Sequence, residues 1–370
     1  MRRWLRRLLV ALCAVAALAV LIPLAGLAYG FLTTSDPGIA PPPAARTEIS
    51  EALRRDIPDY ARSEESTFLT YPEWAIVYTA REYADFVRER FPSRFPFLAY
   101  AGRFWQDYAL MIRASSAYPF NVSNHLMLVV IGTSNTVELA VQWLYENTAG
   151  RLGEAAAVWK PVPEDGYQAR VAADYAAFLD QVPWYRFDYA GARAGLWEVE
   201  PAGGLAALRS WERKLGFGAA DLVKQGYAAL IASGLSATSD PALLDIHVRA
   251  TGPVAEAVAG EPDTRVERDL GADGTVFVTK RYQVFTDMIP RLIEKGVRFV
   301  EIGGNRLVFL TVLADGDIAA PDGARAVLSY ALPARPGVRR LGFAVEVGRL
   351  HEALPALAAA GARLEHVYDY

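Results

Sequence analysis

Asn124, His125 and Glu138 come closest to acid–base chemistry in this chain, because they share one apolar stretch. A buried imidazole beside a carboxylate has its pKa raised by the pairing and can act as a general base. The same residues also read as a hydrogen-bonded core histidine and a helix-start carboxylate. The second group is aromatic: Trp74, Trp105, Trp143, Trp184, Tyr185 and Phe187 can wall a pocket for an apolar or sugar-like ligand, or fill a helical core. Within it, Pro183-Trp184-Tyr185-Arg186-Phe187-Asp188 is the least helix-like run and is expected at a pocket rim, with Arg186 and Asp188 as polar contacts. His125 and Glu138 are therefore the candidate catalytic pair. Trp105, Asn124, Trp184, Arg186 and Asp188 are the candidate ligand-binding residues.

Other chemistries find no support. His351-Glu352 continues as Ala353-Leu354-Pro355, so no second histidine completes a zinc-protease motif. Gly132-Thr133-Ser134-Asn135 lacks the glycine after the serine that a nucleophile elbow needs. Phosphate-loop and dinucleotide patterns are absent. With 4 histidines in all (His125, His247, His351, His366), neither a metal nor another cofactor is expected. The 1 cysteine, Cys13, stands in the N-terminal apolar segment, so the rest of the chain has no disulfide and no thiol nucleophile. A net charge of -4 suggests no nucleic-acid partner.

These residues are placed by the segment that precedes them. Leu8–Leu32 runs without a charge. At ~1.5 Å per residue such a helix reaches about 37 Å, enough to cross a hydrocarbon core of about 30 Å. Arg2, Arg3, Arg6 and Arg7 precede it, which holds the N-terminus in the cytoplasm and sends the rest across. The rival is a cleaved signal peptide, with Leu8–Ile22 as its apolar core, Pro23 breaking the helix and a cut before Tyr29. Both export the remainder. Pro37 and Pro41–Pro43 then favour a stiff spacer.

From Thr47 the pattern is helical. Thr70-Tyr71-Pro72-Glu73 and Thr79-Ala80-Arg81-Glu82 carry helix-start signatures. Phe97, Tyr100, Phe104, Tyr108 and Met111 form one helical stripe. Gly132 and Ser134 divide His125–Ile131 from a helix capped by Asn135, with Glu138 at its third position. The polar groups in Val122–Ala140 favour a buried helix pair over a second membrane span. Further helices are expected at Tyr167–Asp180, Leu205–Leu215 and Ala219–Ser233.

After about Glu261 the character changes. Thr275–Val284 is β-like, Thr286–Lys295 helical. Arg298–Ile302 and Arg306–Leu313 read as a hairpin across Gly303-Gly304-Asn305. Arg325–Leu332 and Arg339–Val347 form another strand pair, Arg349–Ala360 a helix and Arg363–Tyr368 a last strand. Ile289-Pro290, Leu292, Gly296, Arg298 and Phe299 recur 65 residues on as Leu354-Pro355, Leu357, Gly361, Arg363 and Leu364. A β-α-β unit repeated in this way argues for a ferredoxin-like plait with helices on one face of the sheet. The first unit, strand-helix-strand-strand-strand, also resembles the βαβββ module of the vicinal-oxygen-chelate family. That family's metal ligands are His and Glu side chains on strands. Here Tyr282 occupies the first strand and His247 lies outside the unit, so the resemblance implies topology and no metal.

The expected architecture is an N-terminal transmembrane signal-anchor (1–34), a Pro-rich linker (35–46), a mainly α-helical aromatic-rich domain (47–260) and an α+β ferredoxin-like C-terminal domain with a βαβ repeat (261–370). The expected protein is single-pass in a bacterial-type inner membrane with its domains in the periplasm, or exported if the segment is cleaved. The helical domain is expected to bind a lipid-like ligand or an envelope partner protein. The alternatives are a membrane-associated enzyme using His125 and Glu138, and a structural spacer in an envelope complex.

Overall fold

A computed structural model describes residues 2–33, 38–40, 48–61, 67–238 and 244–368. The chain forms two compact units: Met1–Ile22, Trp74–Phe104 and Gly132–Ala242 make the first, and Pro23–Glu73, Trp105–Ile131 and Leu243–Tyr370 the second. The helices are α1 (Arg2–Leu32), α2 (Glu48–Asp56), α3 (Thr70–Glu73), α4 (Ala75–Val87), α5 (Phe97–Ala114), α6 (Val122–Tyr145), α7 (Arg151–Ala156), α8 (Pro163–Leu179), α9 (Tyr189–Glu198), α10 (Ala207–Thr238), α11 (Val254–Val258), α12 (Gln283–Glu294) and α13 (Leu350–Ala359). α1 continues through Pro23 instead of stopping there. Most of the Pro-rich linker lies outside the described residues.

The first unit is helical, and two of its helices are longer than the sequence suggests. α6 is one continuous helix, not two. A glycine costs a helix only about 1 kcal/mol, so Gly132 and Ser134 need not end it. Gly132 is a packing glycine: a Cβ there would overlap the Phe104 ring. Replacing Gly132 by Ala gains about 1 kcal/mol of helix propensity. The overpacking against Phe104 costs about 1–3 kcal/mol. The expected net result is a lower unfolding midpoint, read by denaturation of the purified chain. α10 joins the two helices expected at Leu205–Leu215 and Ala219–Ser233. Thr79, read as a cap, lies inside α4 and donates its hydroxyl to the Ala75 carbonyl at 2.7 Å.

Ions, rather than a purely aliphatic core, tie part of this unit together. Arg213 forks onto Glu146 at 2.8 and 3.0 Å and also donates to Glu212. Arg209 donates to Asp165 at 2.8 Å, to Glu212 at 2.9 Å and to the Gly150 carbonyl at 3.0 Å. Lys214 donates to the Trp197 carbonyl at 3.1 Å. Arg209, Arg213 and Lys214 are all buried. Glu146 opens a π-helical turn, Glu146–Gly150, that carries α6 on into α7.

The second unit carries the strands β1 (Asp245–Thr251), β2 (Arg265–Asp269), β3 (Thr275–Lys280), β4 (Arg298–Ile302), β5 (Leu307–Ala314), β6 (Ala324–Ala331), β7 (Arg339–Glu346) and β8 (Arg363–Tyr368). They make two four-stranded antiparallel sheets, ordered β2-β3-β1-β4 and β6-β7-β5-β8. The two orders correspond strand for strand. The 65-residue repeat maps α12 and β4 onto α13 and β8, with a proline inside each helix.

The turn expected at Gly303-Gly304-Asn305 closes, with Ile302 and Asn305 exchanging backbone bonds of 2.9 Å, but the flanking strands do not pair as a hairpin. β4 pairs with β1, while β5 pairs with β7 and β8, so the glycine turn passes the chain from one sheet to the other. Every residue of β5 is buried, as a central strand covered on both faces must be. The vicinal-oxygen-chelate module accordingly does not close as one sheet. Tyr282 is not on a strand either: it precedes α12 with φ of 69°.

Strand alternation divides each sheet into two faces. Val248, Ala250, Phe277, Val308, Leu310 and Phe343 join α11, α12 and α13 in one apolar core. Burying a side chain such as Phe277 or Phe285 contributes about 1.5–3 kcal/mol. The opposite face of the first sheet is covered by Leu53 and Ile57 of the α2 segment and by Tyr60, against Val276. The opposite face of the second is covered by Phe68 and Tyr71, whose rings lie 5.7 and 5.4 Å from Phe309. A buried ion pair sits on each covered face. Arg249 meets Glu301 at 3.3 Å, and Arg340 forks onto Glu365 at 2.6 and 2.7 Å.

Candidate functional site

The site is a cavity of about 430 Å³ inside the helical unit. α4, α6, α8 and α10 form its sides, and the segment around the 3-10 turn Pro92–Arg94 adds Phe91, Phe95 and Phe97. The wall mixes aromatic rings with apolar and charged side chains, Arg88, Glu89 and Arg90 among the latter. Tyr175 of α8 meets Phe187 edge-on at 5.0 Å, and Phe187 meets Tyr189 at 5.1 Å. Small residues on α8, Ala169 and Ala172, leave the space open.

One part of the wall is polar. Lys224 of α10 pairs with Glu138 of α6 at 2.6 Å and lies 5.6 Å from the Tyr175 ring centre. Three further polar atoms face burial without a hydrogen-bond partner: Asn135 Nδ2, Gln168 Nε2 and Asp221 Oδ2. All three residues line the cavity, from three different helices. Leaving such a group unpaired costs about 1–3 kcal/mol, which a ligand's complementary groups recover. The phenols of Tyr83, Tyr175 and Tyr189 are pushed above their ordinary range by burial, helped by Glu146, by Glu138 and by Tyr175 respectively. They stay protonated at neutral pH.

The sequence candidates fall in several places. Glu138 lines the cavity, but His125 does not pair with it. Both sit on α6, thirteen positions apart, which is about 20 Å along a helix. The acid–base pair is thereby withdrawn. His125 is buried, with Nδ1 2.8 Å from the Tyr108 hydroxyl and its ring stacked on Phe120 at 4.4 Å. Trp105 is buried against Gly26 of α1. Asn124 is buried in the first turn of α6, where its backbone N–H donates to Asn121 Oδ1 at 3.1 Å. Trp184 stacks on Tyr227 at 5.2 Å. Arg186 is exposed, beside its neighbour Tyr185. Asp188 caps α9 by accepting from the Gly191 N–H at 2.8 Å. Of the run expected at the rim, Phe187 reaches the cavity wall.

The sequence does not single out Gln168, Asp221 or Lys224, and it marks Asn135 as a helix cap, whereas Asn135 lies inside the continuous α6. Arg209, Arg213, Asp221 and Lys224 recur on α10 at intervals that keep them on one face, and that stripe was the available signal. Among the described residues, no group of three or more His, Cys, Asp or Glu side chains is arranged to hold a metal ion.

Comparison with protein families, with characterised proteins and with solved structures finds no match to this chain.

Proposed function

We propose that this chain is a membrane-anchored envelope protein whose helical unit binds one amphiphilic, lipid-like ligand. The observation that carries the reading is the cavity: about 430 Å³, with aromatic rings on its wall and three unpaired polar atoms facing it. Ligand sites commonly measure about 300–1,000 Å³ and combine apolar walls with a few convergent polar groups. A ligand with an apolar body and a head offering both acceptors and donors satisfies Asn135, Gln168 and Asp221 while leaving the Lys224–Glu138 pair intact. A spacer has no need of such a cavity, so its presence favours ligand binding.

The anchor in this reading is α1, oriented by Arg2, Arg3, Arg6 and Arg7 with the N-terminus in the cytoplasm of a bacterial-type inner membrane. The domains then stand on the periplasmic side. In the second unit the strand orders 2-3-1-4 and the shared α–β repeat support two ferredoxin-like plaits in tandem, the second with no helix in place of α11 among the described residues. Such a unit serves as the assembly or regulatory half of the protein.

Filling the cavity tests the binding. An Ala172→Trp chain that keeps its helical circular dichroism is expected to lose saturable binding of a fluorescent acyl-chain probe. Equal binding by the variant and the parent chain contradicts the cavity as the site.

A further inference from the structure

α10 is amphipathic with the usual faces exchanged. Its cations point inward: Arg209 and Arg213 are 0% exposed and Lys214 2%. Its large apolar residues point outward. Leu208, Trp211, Leu215, Leu222, Val223 and Leu230 range from 47% exposed at Trp211 to 71% at Val223. No exposed position between Leu208 and Leu230 carries a charge, and the exposed polar side chain there is Gln225, bonded to Arg193 at 2.9 Å.

α6 repeats the pattern beside it. Glu146, just beyond its end, is buried, while Leu126, Val130, Val137, Val141 and Leu144 are exposed. The exposed charge on α6 is Glu138, and Lys224 of α10 neutralises it at 2.6 Å. The helices run antiparallel: Ser134 bonds Tyr227 at 3.2 Å, Glu138 bonds Lys224, and Tyr145 donates to the Glu212 carbonyl at 3.1 Å. The sequence reading of α6 as a buried core element therefore fails. The continuous helical run Val122–Ala156, which α6 begins, is long and apolar enough to cross a membrane by length and composition, and 28% of its apolar window is buried.

We infer that the outward faces of α6 and α10 form a surface that contacts lipid hydrocarbon, in addition to the anchor. Three features point to a bilayer. The exposed apolar stretch of each helix, Val122 to Leu144 and Leu208 to Leu230, is about 33 Å long, against a hydrocarbon core of about 30 Å. Arg209, Arg213 and Lys214 are turned inward, the two arginines onto carboxylates, and the exposed Glu138 is matched by Lys224, as low-dielectric surroundings require. Soluble monomers rarely expose contiguous apolar patches beyond a few hundred Å², whereas Leu208, Leu215, Leu222, Val223 and Leu230 along α10 are each at least 60% exposed. α8 shows the contrast, exposing Arg170 and Asp174 to water.

Site-directed fluorescence on the full chain in phospholipid vesicles tests this. In a Cys13→Ser background, single cysteines at Leu215, Leu222 and Val141, with Asp174 as the wet control, carry an environment-sensitive dye. Blue-shifted emission and quenching by lipids nitroxide-labelled in the acyl tail are expected at Leu215→Cys, Leu222→Cys and Val141→Cys, with neither at Asp174→Cys. Emission typical of water at the first three positions overturns the inference. So does emission shielded from water but indifferent to tail nitroxides, with Leu222→Cys cross-linking between chains, because a second copy then covers the face. Dye position does not depend on cavity occupancy, so failure here leaves the ligand reading standing and the reverse also holds.

Discussion

Replacing Arg213 by Met is expected to destabilise the helical unit by about 3–5 kcal/mol, because it strands buried carboxylates. Arg213 holds Glu146 through two bonds of 2.8 and 3.0 Å and Glu212 through two more. All of its charge is spent inside the unit, where water cannot take over the pairing. Burying a matched pair contributes little net stability, but removing one partner leaves the other uncompensated. Adding Glu146→Gln to Arg213→Met should therefore restore part of the loss. The double-mutant cycle, read from unfolding midpoints in detergent, should show strong positive coupling. Equal, additive losses would mean that the two side chains do not act as a pair.

Glu301→Ala is expected to cost the second unit a similar amount, about 3–5 kcal/mol, and to release α2. Glu301 accepts from Ser50 and, at 2.6 Å, from the Tyr60 hydroxyl, and it faces Arg249 at 3.3 Å. Its carboxylate joins the α2 segment to the first sheet. Without it Arg249 is left buried with its main counter-charge gone. Limited proteolysis should then cut within Glu48–Asp56 well before the sheets unfold. A variant in which α2 stays as protected as in the parent chain would show that Leu53 and Ile57 hold it unaided.

Local signals carried much of the C-terminal half. The strands expected at Arg339–Val347 and Arg363–Tyr368 and the recurrence of Ile289-Pro290 as Leu354-Pro355 correspond to real strands and helices. Pairing was harder. Gly303-Gly304-Asn305 has the composition of a tight turn, but which strand lies beside β5 is decided by burial on both of its faces, a property of the whole sheet. β1 was legible: Asp245, His247 and Arg249 alternate with Ile246, Val248 and Ala250, the period of a half-buried strand, but it lies before Glu261, inside the stretch read as helical.

In the helical half the same local signals misled. Periodicity marks a helix as amphipathic but does not say which face turns inward. The default for a soluble protein hides the apolar side, and α6 and α10 do the opposite. Glu138 therefore stands out in the sequence, while its partner Lys224, far along the chain, does not. His125 and Glu138 looked like neighbours because an interruption at Gly132 would have folded them together. An unbroken helix keeps them apart.

The helical unit is expected to carry one small amphiphile in its cavity. Native mass spectrometry of the full chain, purified in mild detergent from the cells that make it, measures this most directly. The expected spectrum shows the chain with a single bound amphiphile that is absent from Ala172→Trp prepared in the same way. A parent chain found at its bare mass, or an adduct carried equally by the filled variant, would contradict it.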